Sequence, residues 1–285
     1  MSACEFNYTP NEYKSDLKPV WCPGCGDFAV LNSVYRALSE LRFDPHDTVV
    51  VSGIGCSSRL PGYVDTYGFN SLHGRALPIA TGVKLAAPRL NVIAVGGDGD
   101  GIAIGGNHFL HTARRNSDLT YIMMDNEIYG LTKGQAAPTT PLGDKTKSTT
   151  YGNPEAAVDP CSLAISFGAT WVGRGFSGDV KGTTELMRKA IEHRGFAFLN
   201  IISPCVTWRG DDQAKIIRQK VAQLPHDHDP SNRESALRFT NEEGVVTTGV
   251  LYAIQHPTLI DEMTEIAGKA SARASARADM LAAFA

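Results

Sequence analysis

The sequence predicts an α/β fold, a parallel sheet with helices on both faces, and three observations carry that expectation. Short apolar runs rich in β-formers, Thr48 to Ser52, Val92 to Val95, Tyr121 to Met124 and Ala197 to Ile202, alternate with helical patterns. Asn91 to Thr132 reads as one βαβ unit, with its helix over Gly105 to Arg114. A right-handed unit of this kind ends both strands at the same sheet edge, where open α/β folds bind ligands, so Asp98 and Asn126 are expected close together.

Taken in order, residues 1–20 are polar, with Pro10 and Pro19, and read as an extended arm lying on a neighbour or on the domain itself. Trp21-Cys22-Pro23-Gly24-Cys25-Gly26-Asp27 then leads into an amphipathic helix with Phe28, Leu31, Val34, Leu38 and Leu41 on its packing face. A Cys-x-x-Cys turn at a helix N-terminus is compatible with a redox pair of lowered thiol pKa. That motif normally follows a strand, and Lys18-Pro19-Val20 makes a poor one. The other readings, zinc and iron–sulfur ligation, need further cysteines.

Two are available. Cys56 follows the strand Thr48 to Ser52, and Cys205 follows Ala197 to Ile202, so all four cysteines are expected at the carboxyl edge of one sheet, near Asp98. Structural zinc usually takes two compact pairs. One pair joined by two distant single cysteines favours iron–sulfur, with zinc as the alternative. Cys161 reads as a small buried hydrophobe in a helix, and Cys4 as a surface residue.

His73-Gly74-Arg75-Ala76 opens a helix over Leu77 to Ala87; at its start His73 and Arg75 either approach an anionic cofactor or stand solvated. After Thr132 the pattern breaks until about Pro154, and an irregular stretch of that length inside a domain is usually functional. Pro160 to Phe167, Thr170 to Val172, Val180 to His193 and Ala197 to Ile202 restore alternating helix and strand. The core is expected to close near Trp208, giving an arm (1–20), a main domain (21–208) and a C-terminal extension (209–285). The extension ends in an Ala-rich helix, Lys269 to Ala283, and Arg209, Lys215, Arg218 and Lys220 read as a solvated basic face.

The chemistry centres on the turn after Val95. Its glycines, Gly97, Gly99 and Gly101, lack the third glycine of a dinucleotide fingerprint, Ile102 standing in that place. Asp98 and Asp100 would repel a bare pyrophosphate, so phosphate at this helix start needs a cation between them. A carboxylate, an amide oxygen and a backbone carbonyl after Asn126, with two phosphate oxygens and water, complete the six-oxygen shell that Mg²⁺ prefers. The plainer reading is a tight turn with Asp98 as an N-cap.

With 285 residues, 42% hydrophobic content and a formal charge of −3, the chain reads as soluble and globular, without the basic balance of a nucleic-acid binder. The N-terminus has no basic and apolar signal pattern, and no apolar run approaches a membrane span, so a cytoplasmic protein is expected. Six cysteines are too few for a disulfide scaffold in this length.

Gly97-Asp98-Gly99 followed by Asn126 resembles the signature of thiamine diphosphate enzymes. The resemblance implies Mg²⁺ held by Asp98, Asn126 and the Ile128 carbonyl, with Gly99, Asp100, Gly130 and Leu131 against the diphosphate. Together with the Trp21 to Gly26 turn, Gly53-Ile54-Gly55-Cys56-Ser57, His73-Gly74-Arg75-Ala76, Asp125-Asn126 and Ser203-Pro204-Cys205, it resembles the β subunit of 2-oxoacid:ferredoxin oxidoreductases from about Val20 to Trp208. That family implies a diphosphate-binding (PP-type) thiamine domain, and one [4Fe-4S] cluster on Cys22, Cys25, Cys56 and Cys205. Ile54 to Ser57 and His73 to Ala76 would line the thiamine pocket, with His73, Arg75 and Lys133 as catalytic side chains.

The implied reaction is oxidative decarboxylation of a 2-oxoacid, with coenzyme A taking the acyl group and electrons leaving through the cluster to ferredoxin. One Gly-Asp-Gly unit makes half an enzyme, so an α subunit with the pyrimidine-binding domain is expected, in a dimer of αβ heterodimers. Without further Cys-x-x-Cys clusters, a soluble ferredoxin would take electrons directly. The chain looks closest to the 2-oxoglutarate type, whose second carboxylate must meet a cation, and Lys133 offers one. The alternatives are pyruvate or branched-chain substrates, non-oxidative decarboxylation, which leaves the cysteines unexplained, and a zinc-stabilised binding module.

Overall fold

The computed structural model describes residues 7–282. From the N-terminus, α1 (Asp27–Glu40), β1 (Thr48–Ser52), β2 (Tyr67–Asn70) and α2 (Ala76–Ala86) precede β3 (Asn91–Gly97), α3 (Gly106–Arg114) and β4 (Leu119–Asp125). Two short strands, β5 (Ile128–Tyr129) and β6 (Gln135–Ala136), pair with each other in the otherwise irregular stretch before α4 (Pro160–Phe167), β7 (Trp171–Phe176), α5 (Val180–Glu192) and β8 (Phe196–Ile202). Then follow α6 (Val206–Arg209), α7 (Gln213–Lys220), β9 (Val221–Gln223), α8 (Arg233–Thr240), β10 (Val246–Ala253) and α9 (Leu259–Ala282).

Eight strands form one sheet in the order β2-β1-β3-β4-β8-β7-β10-β9. Neighbours from β2 to β7 run parallel, with Gly97 opposite Met124 and Asp125 opposite Ile202. Side chains alternate across the pleat and feed two cores. Val50, Ile93, Val95, Ile122 and Leu199 pack with α1 and α5, while Val51, Ala94, Met123, Phe196 and Phe198 pack with α2, α3 and α4. Burial on both faces explains why β1 and β4 read as continuous apolar runs rather than alternating ones.

The sheet corrects the expectation that the core closes near Trp208. β10 lies antiparallel beside β7 and parallel to β9, and Ala236, Leu251 and Tyr252 join the second core. An antiparallel edge strand on an otherwise parallel sheet is common, and β10 carries the β-branched content of a strand. Ala283, the expected end of the last helix, lies outside the described residues, as does Cys4.

Two further local expectations change. Phe28 is 39% exposed and sets its ring against Trp21 at 5.4 Å, while Val30, Leu31, Val34, Tyr35 and Leu38 form the buried stripe of α1. The stripe is rotated because Asp27, at the helix start, turns inward to accept a hydrogen bond from Ser203 (2.6 Å). The arm lies on the domain itself: Tyr13 is fully buried, its hydroxyl donates to the Phe43 carbonyl (2.5 Å), and Lys14 bridges to Val64. Among the described residues no helix is long and apolar enough to cross a membrane.

Candidate functional site

Parallel strands deliver their following turns to one edge, and the backbone ties these turns together. The Gly53 N–H donates to the Val95 carbonyl (3.4 Å), and the Ser203 N–H donates to the Asp125 carbonyl (2.7 Å). The Gly26 N–H donates to the Pro204 carbonyl (3.2 Å), which brings the Cys-x-x-Cys turn to the chain end of β8.

A cavity of about 90 Å³ opens between the turns. Ile54, Gly55, Cys56 and Ser57 enter from the turn after β1, and Asp98, Gly99 and Asp100 from the turn after β3. The chain after β4 adds Asn126, Ile128, Gly130 and Leu131, and His73 enters from the segment before α2. Gly74, Arg75, Ala76 and Lys133 do not line it. The Gly74 N–H donates to Asp100 (2.7 Å), Arg75 reaches the carbonyls of His73, Gly74 and Ile104 at 3.4 Å each, and Ala76 is buried as the first residue of α2.

The buried carboxyl of Asp98 lines the cavity, with Asp125 as its electrostatic neighbour. Asp98 and Asp125 are both buried, at 2% and 3% exposure. Burial, then the neighbouring Asp125, holds the Asp98 carboxyl well above the usual carboxylate range; burial also raises Asp125. Asp98 makes no capping hydrogen bond, which sets aside its reading as an N-cap, and instead accepts from the Thr139 hydroxyl (2.6 Å). The Asp98 carboxyl beside the Asn126 amide and the Ile128 backbone carbonyl fits a hard divalent cation. The Asn126 side-chain oxygen already accepts from the Ile128 N–H (3.1 Å), which fixes its orientation.

Gly99 belongs to the same arrangement. A Cβ there would lie 2.3 Å from the Tyr129 ring, whose hydroxyl donates to the Gly99 carbonyl (3.1 Å). Only glycine lets that ring close the turn.

A second cavity, of about 290 Å³, is lined by Cys22, Cys25, Cys56 and Cys205, with Trp21, Trp208, Arg59 and Lys133 around them. The four cysteines are free. Trp21 donates to the Cys56 carbonyl (2.7 Å), Gln213 accepts from the Cys205 N–H (3.0 Å), and Trp208 donates to the Gly130 carbonyl (2.9 Å). Burial pushes the Cys56 thiol up to about 11 and raises Cys25 and Cys205 as well. That direction is opposite to the lowered thiol of a redox-active Cys-x-x-Cys pair. Cys161 stands apart, fully buried in α4 as expected.

The cavities adjoin. Cys56, Asn126, Gly130 and Leu131 line both, and a Cβ on Gly130 would lie 3.6 Å from the Cys56 sulfur and 3.7 Å from the Cys205 sulfur. Among the described residues no three His, Cys, Asp or Glu side chains converge as a single-ion shell. The thiols line a space, and the groups that Asn126 and Ile128 bring after β4 are an amide and a backbone carbonyl.

Sequence reasoning missed three features here. Asp27 is buried at 1% exposure beside the thiols, and burial pushes its carboxyl up to about 6; its place directly after the cysteine turn was the available signal. Thr139 reaches Asp98 from the irregular stretch, where no pattern marks it. Arg209 is no part of a solvated face: it pairs with Glu127 (2.6 Å) and Asp144 (2.5 Å).

Residues 53–201 match the family model of the thiamine pyrophosphate enzyme C-terminal TPP-binding domain, and residues 205–268 match that of the C-terminal part of the pyruvate ferredoxin oxidoreductase β subunit. The chain is 51% identical over 197 residues to subunit β of 2-oxoacid:ferredoxin oxidoreductase 2 of Aeropyrum pernix, covering 69% of this chain and 64% of that protein. The match therefore spans just under two thirds of that relative's length. With the 2-oxoglutarate synthase subunit KorB of Methanocaldococcus jannaschii it shares 38% identity over 261 residues, 89% of this chain and 94% of the relative. A solved structure of 2-oxoglutarate:ferredoxin oxidoreductase from Magnetococcus marinus, with 2-oxoglutarate, coenzyme A and succinyl-CoA bound, superposes with a TM-score of 0.92 at 44% identity, covering 94% of this chain and 93% of that one. A common fold, a shared thiamine pyrophosphate domain and these identities over most of the chain place it in one family: the chain belongs to the 2-oxoacid:ferredoxin oxidoreductase β subunits.

Proposed function

We propose that this chain is the β subunit of a 2-oxoglutarate:ferredoxin oxidoreductase, which converts 2-oxoglutarate and coenzyme A to succinyl-CoA and CO₂ and passes two electrons, one at a time, to ferredoxin. The observation that carries the reading is the pair of adjoining cavities, one floored by buried carboxyls and one walled by four free thiols, which share Cys56, Asn126, Gly130 and Leu131. Asp98, Asn126 and the Ile128 carbonyl would hold Mg²⁺, and the backbone of Gly99, Asp100, Gly130 and Leu131 would face the diphosphate. Thiamine diphosphate supplies, when bound, the electron sink for loss of CO₂.

Cys22, Cys25, Cys56 and Cys205 would bind one [4Fe-4S] cluster, and a space of about 290 Å³ among them suits a polynuclear group better than a single zinc ion. Cys22 is exposed, giving the cluster an outlet to ferredoxin. At about 90 Å³ the first cavity is well below the roughly 300 Å³ where small-molecule pockets begin, which supports a cofactor only partly held by this chain. The α subunit would supply the pyrimidine-binding half, in a dimer of αβ heterodimers.

Lys133 lines the thiol cavity rather than the diphosphate one, next to Leu131, which lines both. There its ammonium would meet the distal carboxylate of 2-oxoglutarate. The relatives called 2-oxoglutarate synthase subunit KorB and the 2-oxoglutarate-bound neighbour favour this acid over pyruvate or a branched-chain substrate. The test is the αβ complex, prepared without oxygen and supplied with coenzyme A and oxidised ferredoxin. Ferredoxin should be reduced with kcat/KM for 2-oxoglutarate above those for pyruvate and 2-oxobutyrate. A preference for pyruvate would overturn the substrate assignment, and zinc in stoichiometric amount without iron would overturn the redox function.

A further inference from the structure

We infer that Asp100 is a positioning residue that fixes the ring and tautomer of His73, so that the imidazole presents Nε2 as a proton acceptor to the cofactor cavity. The inference rests on the reading of that cavity as the thiamine diphosphate site.

The geometry begins with one carboxyl oxygen. Asp100 Oδ1 receives the Ile54 N–H (3.0 Å) and the Gly74 N–H (2.7 Å), and His73 Nδ1 lies 2.6 Å away. Two backbone amides can only donate, so this oxygen is an acceptor, and the nitrogen facing it must carry a proton. A neutral His73 then has its lone pair on Nε2. Asp100 itself cannot turn away: it is 3% exposed, its Oδ2 is buried with no partner, and a Cβ on Gly53 would lie 1.9 Å from that oxygen.

The ring is held from a second side as well. His73 meets the Tyr129 ring edge-on, with centroids 6.1 Å apart and planes at 77°, and Tyr129 is itself anchored on the Gly99 carbonyl. His73 lines the cavity, and its side chain keeps 37% exposure. An imidazole locked through Nδ1 and open at Nε2 is the arrangement by which a buried carboxylate orients a general base. Substrate and co-substrate bring protons of their own to this cavity, and the thiol proton of coenzyme A is one that acyl transfer must release. The carboxyl of Asp100 is thus committed to His73, and only its backbone is available to a diphosphate.

The test is a double-mutant cycle in the αβ complex. His73→Gln places an acceptor near the Nε2 position without the link to Asp100, and Asp100→Ala removes the orienting oxygen. Each single variant should lose about 100-fold in kcat, the scale of a general-base contribution, with KM and Mg²⁺–thiamine diphosphate affinity changed much less. The double variant should lose no more than about two-fold beyond the worse single, because both substitutions break one unit. Asp100→Asn, whose amide oxygen the Ile54 and Gly74 N–H groups would hold at the Oδ1 position, guards against a folding defect in the alanine variant and should recover at least about ten-fold over Asp100→Ala. Additive losses, or loss of cofactor affinity in parallel with kcat, would overturn the inference while leaving the proposed function standing. A wild-type complex that does not oxidise 2-oxoacids would overturn both.

Discussion

Glu127 sits between Asn126 and Ile128, which line the smaller cavity, and its carboxylate receives the Arg209 guanidinium at 2.6 Å. Glu127 has left-handed backbone, φ +59°, a conformation that costs a non-glycine residue energy and is kept only where surroundings enforce it. Its N–H donates to Asp125 (3.3 Å), its carbonyl accepts from the Thr140 hydroxyl (2.6 Å), and Arg209 holds its side chain. Through Asp144 it also reaches the irregular stretch, and Gln213, which accepts from the Cys205 N–H, lies 3.5 Å from the same Glu127 oxygen. One guanidinium therefore joins the turn after Cys205 to the chain that carries Asn126 and Ile128 into the smaller cavity.

Arg209→Ala should destabilise the protein by about 2 kcal/mol, less than a fully buried pair because both partners keep some exposure. Burial, then the charge of Asp125, already pushes the Glu127 carboxyl up to about 7, so without Arg209 it would favour the neutral form still more. Denaturant unfolding of wild type, Arg209→Ala and Arg209→Lys checks this, with lysine recovering only part of the loss since it cannot bridge two carboxylates with one planar fork. Equal stability of wild type and the alanine variant would show that the bridge contributes nothing.

Thr139→Val removes the hydroxyl that donates to Asp98 and that also bears on Asp125. Loss of such an outer hydrogen bond should weaken Mg²⁺ about 10- to 100-fold, read by titrating the metal against thiamine diphosphate retention. An unchanged Mg²⁺ affinity would mean that Asp98 needs no orienting partner.

The cysteines divide by position. Replacing Cys22, Cys25, Cys56 or Cys205 by alanine should abolish iron binding, whereas Cys161→Ala, in the core of α4 and away from the cavity, should retain full iron content. Iron analysis of anaerobically prepared variants decides it, and loss of iron from the Cys161 variant would reassign the cluster.

His193 gives a pH signature apart from the cofactor site. Its ring lies 2.8 Å from the Thr170 hydroxyl, and burial lowers its pKa from the ordinary 6.5. The folded chain resists a proton that the unfolded chain accepts, so this contribution is present above about pH 6.5 and is lost as pH falls below it. The buried carboxyls, being raised, act in the opposite direction, so the informative quantity is a difference. Between pH 7.5 and 5.5, wild type should lose more stability than His193→Gln in denaturant unfolding, and equal losses would remove His193 from the account.

Lys133→Ala should weaken 2-oxoglutarate by about 1 kcal/mol or more relative to pyruvate in kcat/KM, if the ammonium meets the distal carboxylate. An equal loss for both acids would place the residue's role in the loop, where its own backbone is left-handed at φ +79°.

How much of this was legible in the sequence follows from how local each signal is. β1 and β4 could be read because buried parallel strands are runs of β-formers, and once they were parallel, Asp98, Asn126, Cys56 and Cys205 had to share an edge. β10 was passed over because Val246 to Ala253 follows a polar, proline-broken stretch that reads as leaving the domain. Phe28 was assigned to the core by spacing alone, while the buried Asp27 next to it rotated the helix. Arg209 and Thr139 were invisible for a different reason: each acts on a residue 82 or 41 positions away, through a single hydrogen bond that no periodicity records. Asp100 was read as a partner of the diphosphate, and only the three donors on one oxygen reveal that its side chain serves His73.

The claim on which the account depends is that the two adjoining cavities hold a metal diphosphate and a four-iron cluster in one electron path. The most direct measurement is low-temperature electron paramagnetic resonance of the anaerobic αβ complex, with iron and acid-labile sulfide analysis of the same sample. The account predicts about four irons and four sulfides per β chain, and a reduced-cluster signal that appears on adding 2-oxoglutarate and is lost in Asp98→Ala, whose iron content stays unchanged. A complex with zinc in place of iron, or a cluster that 2-oxoglutarate leaves oxidised in the wild type, would contradict it.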